Sequence, residues 1–169
     1  MLNMTLKTYS FQEQLELSKK YEQMMLTYWR MMLGTHCVSD MRESQKYRDM
    51  DIDFIKLSFE DDILKARTIE LKVDFRMFDT GNLFIEETGW LFKTRAEIIA
   101  YLDVVDKVCY YISTKKLRGC LNHYSDRLKK VPVRTGDFGG YEVTGTLLPL
   151  RDMLAACDPY IEDLKNILT

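Results

Sequence analysis

Asp53 and, 17 residues further on, the tripeptide Glu70-Leu71-Lys72 are the residues of this chain best suited to chemistry. Side chains alternate across a β-strand, so Glu70 and Lys72 project from one face while Ile69, Leu71 and Val73 point to the other. A carboxylate and an ammonium on one face of an otherwise apolar strand are costly to bury without partners. Asp53, on the neighbouring run, can supply a second carboxylate. Two carboxylates and a backbone carbonyl converging on one spot are hard oxygen ligands of the kind Mg²⁺ or Mn²⁺ takes, with waters completing the shell. A lysine beside that metal can orient an attacking water and stabilise charge developing on a phosphoryl group. These residue types suit metal-assisted phosphodiester hydrolysis. The same Glu-x-Lys spacing also fits an exposed face with a cross-strand ion pair, and an aspartate at 53 also fits a strand end.

Positioning these groups requires two adjacent strands. Runs 51–60 (DIDFIKLSFE) and 67–77 (RTIELKVDFRM) are rich in Ile, Phe, Val and Leu. If Asp61-Asp62 is a two-residue hairpin loop, Glu60 faces Ile63 and Asp53 faces Glu70. Ahead of them, Phe11, Leu15, Leu17, Tyr21, Met24, Met25, Tyr28 and Met32 recur at three- and four-residue steps. That spacing predicts an amphipathic helix over 10–33, with Ser10 and Glu13 as a capping box and Gly34 as its stop. Residues 37–50 read as a connection. After Thr80-Gly81-Asn82 comes a strand, LFIEE; 95–106 reads as a helix, KVCYYIST as a strand and KKLRGCLNHYSDRLKK as a helix. VPVRTGDFGGYEVTGTLLPL (131–150) suits a late hairpin or an extended loop, and 152–168 reads as a terminal helix interrupted near Pro159. The order predicts an α/β fold with a central mixed sheet flanked by helices, in a single domain over 1–169 whose core spans about 10–135.

D53-x16-E70-L-K72 on successive strands behind an acidic helix resembles the PD-(D/E)XK nuclease superfamily, restriction-endonuclease-like in fold. TIELKVDFRMFDTGNLFIEE, then Gly89-Trp90 and TRAEIIAYLD, resemble its small phage-type, endonuclease-like members. The resemblance covers about residues 10–125. It implies that Asp53 and Glu70 hold a divalent metal with the Leu71 carbonyl, and that Lys72 positions the nucleophilic water. It also implies an acid from the first helix, for which Glu22 is the best match and Glu16 and Glu13 are alternatives. Glu86, which ends the adjacent strand in this reading, is a further candidate near the metal. The chain reads DMDID, with no proline before the aspartate, so Asp51 stays beside Asp53 as a candidate.

Charge adds to this reading. Lys plus Arg number 24 against 26 Asp plus Glu, a net charge of −2, which excludes a uniformly basic nucleic-acid coat. Locally, 49–62 carries six acids against Lys56. Residues 115–134 carry seven bases against Asp126, and Lys115, Lys116, Arg118, Arg127, Lys129 and Lys130 are candidate contacts to a DNA backbone. Tyr110, Tyr111, Tyr124, Phe138 and Tyr141 could stack on unpaired bases or belong to the core. His123 and His36 lack visible catalytic partners. Cys37, Cys109, Cys120 and Cys157 form no CxxC, so neither zinc nor disulfides are expected. The start, MLNMTLKTYSFQEQ, lacks a basic region followed by an apolar one, and no apolar run approaches 18 residues.

The expectation is a cytoplasmic Mg²⁺- or Mn²⁺-dependent deoxyribonuclease, an endonuclease, acting in the host-cell cytoplasm if phage-encoded, with DNA as partner, no membrane, and a homodimer as one permitted assembly. The alternative is a non-catalytic DNA-binding or protein-interaction module of a phage that keeps the same fold.

Overall fold

The computed structural model describes residues 11–60, 63–86, 89–134 and 142–168. Helix α1 (Phe11–Leu33) runs as its periodicity predicts, and Gly34, at φ 92°, ends it. The Ser10 cap lies outside the described residues. The segment read as a connection holds a short strand, β1 (Val38–Asp40), and one helical turn, α2 (Gln45–Arg48). Strands β2 (Phe54–Glu60) and β3 (Ile63–Asp74) form the anticipated antiparallel hairpin in the anticipated register, from Glu60 opposite Ile63 to Phe54 opposite Ile69.

A turn of helix, α3 (Met77–Thr80), ends on Gly81 at φ 64° and leads into β4 (Asn82–Glu86). Then come α4 (Trp90–Lys93), β5 (Ile98–Asp103), β6 (Val108–Ser113) and α5 (Thr114–Tyr124). The chain finishes with β7 (Lys129–Arg134), β8 (Glu142–Pro149), α6 (Leu150–Cys157) and β9 (Tyr160–Asp163).

The fold is α/β: a mixed six-stranded sheet in the order β1-β2-β3-β5-β6-β9, flanked by helices. Its neighbours are antiparallel except β3 and β5, which are parallel. One face packs on α1, where Met25, Leu26 and Trp29 meet Phe54, Ile69, Leu71 and Leu102. The other face, with Ile99, Tyr101 and Ile112, is covered by α5, α6 and a separate antiparallel sheet, β4-β8-β7. On α5 the buried residues are Thr114, Leu117, Cys120 and Leu121, the three- and four-residue spacing of one helix face.

Three further elements differ from the sequence expectation. Residues 95–106 are not a helix but contain β5, whose six residues are nearly all buried because the strand lies inside the sheet. A short apolar run such as IIAYLD satisfies helical spacing and a doubly covered strand alike. The basic helix stops at Tyr124, so Lys129 and Lys130 lie on β7. The terminal helix ends at Cys157, where Asp158 adopts φ 46°, and the chain beyond Pro159 adds β9 to the sheet edge.

Candidate active site

Ile69 and Leu71 enter the α1 core, which turns Glu70 and Lys72 to the opposite face of β3. The β2–β3 ladder closes with Asp53, whose N–H donates to the Ile69 carbonyl at 2.9 Å and whose carbonyl accepts from Met41 N–H at 2.8 Å. Asp53 Oδ2 then accepts from Leu71 N–H at 2.8 Å. Backbone N–H and C=O groups of one strand residue point to the same edge, so the Leu71 carbonyl faces the side on which Asp53 sits. Asp53 is thus held against Leu71 where β2 begins, close enough to Glu70 for the two carboxylates to act on each other's charge.

The loop ahead of Asp53 is clamped from β5's approach. Thr94 Oγ1 donates to the Asp51 carbonyl at 2.6 Å, and Arg95 N–H to the Met50 carbonyl at 2.8 Å. Asp51, at φ 48°, stays in this loop and acts on Glu70 only through its charge, whereas Asp53 touches the strand.

Glu70 is 3% exposed. Its Oε1 lies 2.5 Å from Lys72 Nζ, and its Oε2 is buried with no hydrogen-bond partner among the described residues. Burial pushes the Glu70 pKa up to about 8, against the pull of Lys72 and with a further push from Asp53 and Asp51. Asp53 is also raised by burial, partly offset by the Leu71 N–H and Lys72, and pushed further by Glu22. Lys72 Nζ sits 5.0 Å from the centroid of the Trp90 ring, over its face. Trp90 starts α4 directly after Gly89, which packs so closely on the Glu86 side chain that a Cβ there would collide with it.

Glu22, on α1, pairs with Arg42 at 3.0 Å. Arg42 also binds Asp40, at 2.6 Å, and lies 5.0 Å above the Phe54 ring. Glu22 is therefore an ion-pair partner that also reaches Asp53 electrostatically; Glu13 and Glu16 are exposed residues of α1's first two turns. Among the described residues no three His, Cys, Asp or Glu side chains form a ready-made metal cage. The donors present are two carboxylates and a carbonyl, a set that fits a hard cation retaining several waters. The orphaned, buried Oε2 of Glu70 is the observation that fits such a cation best.

The anticipated basic residues are spread over separate elements. Lys115 and Lys116 are exposed at the start of α5, and Arg127, Lys129 and Lys130 are exposed beyond its end. Arg118 points inward, its Nε donating to the Leu91 carbonyl at 2.8 Å and its Nη2 to the Thr94 carbonyl at 2.6 Å. Tyr110 is buried on β6 and Tyr111 belongs to the edge of the α1 core. Tyr124 packs against the second core, its ring 4.8 Å from that of the exposed His123. Phe138 and Tyr141 lie outside the described residues. His36 is exposed in a single turn of 3-10 helix after α1.

Sequence reasoning missed Arg42 and the contact between Trp90 and Lys72. The Gly89-Trp90 pair was a visible signal for the second; Asp40, two residues before Arg42, was a local signal for the first, while its other acid partner, Glu22, comes from α1. No helix of the described residues is long and apolar enough to cross a membrane. Comparisons of the chain with protein-family models, with curated proteins and with solved structures gave no match.

Proposed function

We propose that this chain is a metal-dependent deoxyribonuclease of the PD-(D/E)XK type, an endonuclease that hydrolyses phosphodiester bonds. The observation that carries the reading is Glu70: a carboxylate buried on a sheet face, with one oxygen on Lys72 and the other unpartnered among the described residues, near a second carboxylate tied to Leu71 N–H. Burying such a pair is unfavourable for the fold alone. It becomes favourable if a cation completes the site.

Asp53, Glu70 and the Leu71 carbonyl would hold Mg²⁺ or Mn²⁺. When bound, that ion would supply Lewis acidity toward a phosphate oxygen and make a neighbouring water more acidic. Lys72 orients the attacking water and stabilises the charge that develops on the phosphoryl oxygens. Trp90 limits where the Lys72 ammonium can go. Glu22 adds negative potential at Asp53, with Arg42 neutralising part of it. DNA is the substrate this reading implies, with Lys115 and Lys116 among the exposed bases available to its backbone.

The test is a cleavage panel on end-labelled single-stranded, duplex, nicked, flapped and four-way-junction DNA, each with Mg²⁺, Mn²⁺ or EDTA. Asp53→Ala and Lys72→Ala proteins are assayed alongside. Metal-dependent cutting lost in both variants is the expected result. DNA binding without cutting on any substrate would replace this reading with the non-catalytic module.

A further inference from the structure

A recess of about 1060 Å³ lies where β3 and β5 begin, β6 ends, α1 finishes and α5 starts. It is distinct from the carboxylate site, which occupies the opposite sheet face further along β3. At this volume it is at the upper end of small-ligand pockets. Lys56, Arg67, Arg95 and Lys115 line it from four different stretches of chain. Lys56, Arg95 and Lys115 form no ion pair among the described residues, while Arg67 lies 3.9 Å from Glu97. The other acid in the lining, Glu162, is already engaged: Tyr28 and Tyr111 hydroxyls each donate to it at 2.6 Å. The recess therefore carries a net positive charge directed at solvent.

Its second feature is aromatic. Tyr160 on edge strand β9 is 67% exposed, and its ring stands 5.7 Å from that of Tyr111. Tyr111 in turn is fixed by Trp29, whose Nε1 donates to its hydroxyl at 2.8 Å. A large aromatic face held from behind and open in front is a stacking platform.

Cations and an open aromatic face lining one recess suit an anion joined to a flat ring. We infer that this recess binds a nucleoside phosphate, its phosphate between Arg95 and Lys115 and its base on Tyr160. The ligand is either a free nucleotide or the phosphorylated end of a DNA strand, which share that chemistry. Thr94 and Arg95 are common to both places, since they line this recess and hydrogen-bond the Met50-Asp51 loop ahead of Asp53.

The experiment is a fluorescence titration of the full chain with N-methylanthraniloyl-dAMP, competed with dAMP, the 5′-phosphorylated dinucleotide pdApdA, and pyrophosphate. Saturable binding that weakens with salt is expected. Arg95→Glu and Lys115→Glu should each weaken it about tenfold or more, and Tyr160→Ala about fivefold or more. All three replace exposed side chains, and an unchanged melting temperature confirms that folded protein is being read. Tighter competition by dAMP than by pdApdA identifies the free nucleotide as the source, and the reverse identifies the strand end; both support the site. Absence of saturable binding, binding indifferent to all three substitutions, or pyrophosphate competing as well as dAMP would overturn it. Asp53→Asn should bind the probe like the unaltered chain. A protein that binds the probe but never cuts DNA loses only the nuclease reading, and one that cuts DNA without binding the probe loses only this one.

Discussion

Asp53 Oδ2 accepts the backbone N–H of Leu71 at 2.8 Å, one residue past the last paired position of the β2–β3 ladder. This contact sets the aspartate at the edge of β3, beside Leu71. It also gives the carboxylate a structural duty separable from any metal. Asp53→Asn keeps an acceptor for Leu71 N–H, whereas Asp53→Ala leaves that N–H unpaired at a cost of about 1–3 kcal/mol. On the proposed reading, calorimetry with Mn²⁺ should find binding lost in both variants. Thermal unfolding should find Asp53→Ala the less stable of the two. Mn²⁺ binding retained in Asp53→Asn would remove Asp53 from the ligand set.

Glu70 gives the protein a characteristic pH dependence. Its pKa is pushed from an ordinary 4.5 to about 8 by burial, so between those values the folded chain holds a proton that the unfolded chain releases. Metal-free stability should therefore fall as pH rises from about 4.5 to about 8 and level off above. Divalent binding displaces that proton, so apparent Mn²⁺ affinity should rise through the same range, by up to about tenfold per pH unit. Denaturant melts and calorimetry at pH 5, 6, 7 and 8.5 test both slopes. Glu70→Gln should flatten the first and abolish the second.

Trp90 holds the Lys72 ammonium over its ring, and an interaction of this kind is worth about 0.5–2 kcal/mol. If Lys72 orients the attacking water, Trp90→Ala should lower kcat about 3- to 30-fold with little change in KM. Trp90→Phe, which keeps a smaller ring, should recover part of the loss. An equal loss in both, matched by a fall in melting temperature, would mark Trp90 as packing alone.

Arg42 joins Glu22 of α1 to Asp40 of β1 at a partly buried position. Arg42→Ala strips both acids of their counter-charge and should cost about 1–3 kcal/mol, visible as a melting temperature lower by roughly 3–10 °C. Glu22→Gln should disturb Mn²⁺ affinity far less than Asp53→Asn, because Glu22 acts on Asp53 through space. Equal losses of affinity would instead place Glu22 among the metal's direct ligands.

Much of the site was legible because strand alternation is local. Once 67–77 is read as a strand, Glu70 and Lys72 must share a face and Leu71 must oppose them. A two-residue loop at 61–62 then brings Asp53 opposite Glu70, and the observed register obeys that rule. The long helix was equally plain, since 23 residues of periodic apolar spacing leave few alternatives.

What sequence could not decide was which elements become neighbours. IIAYLD is a strand because it lies parallel to β3 with both faces covered, a long-range contact that no window of residues reports. Residues 160–163 pair with β6 for the same reason. Burial of Glu70, the engagement of Glu22 by Arg42 and of Arg118 by the Leu91 and Thr94 carbonyls, and the recess around Tyr160 all depend on elements distant in the chain. Residue type and spacing determined which groups could do chemistry and on which strand face they lie. Tertiary packing alone decided how dry each became and which charges were left unpaired, because desolvation is a property of everything folded around a group.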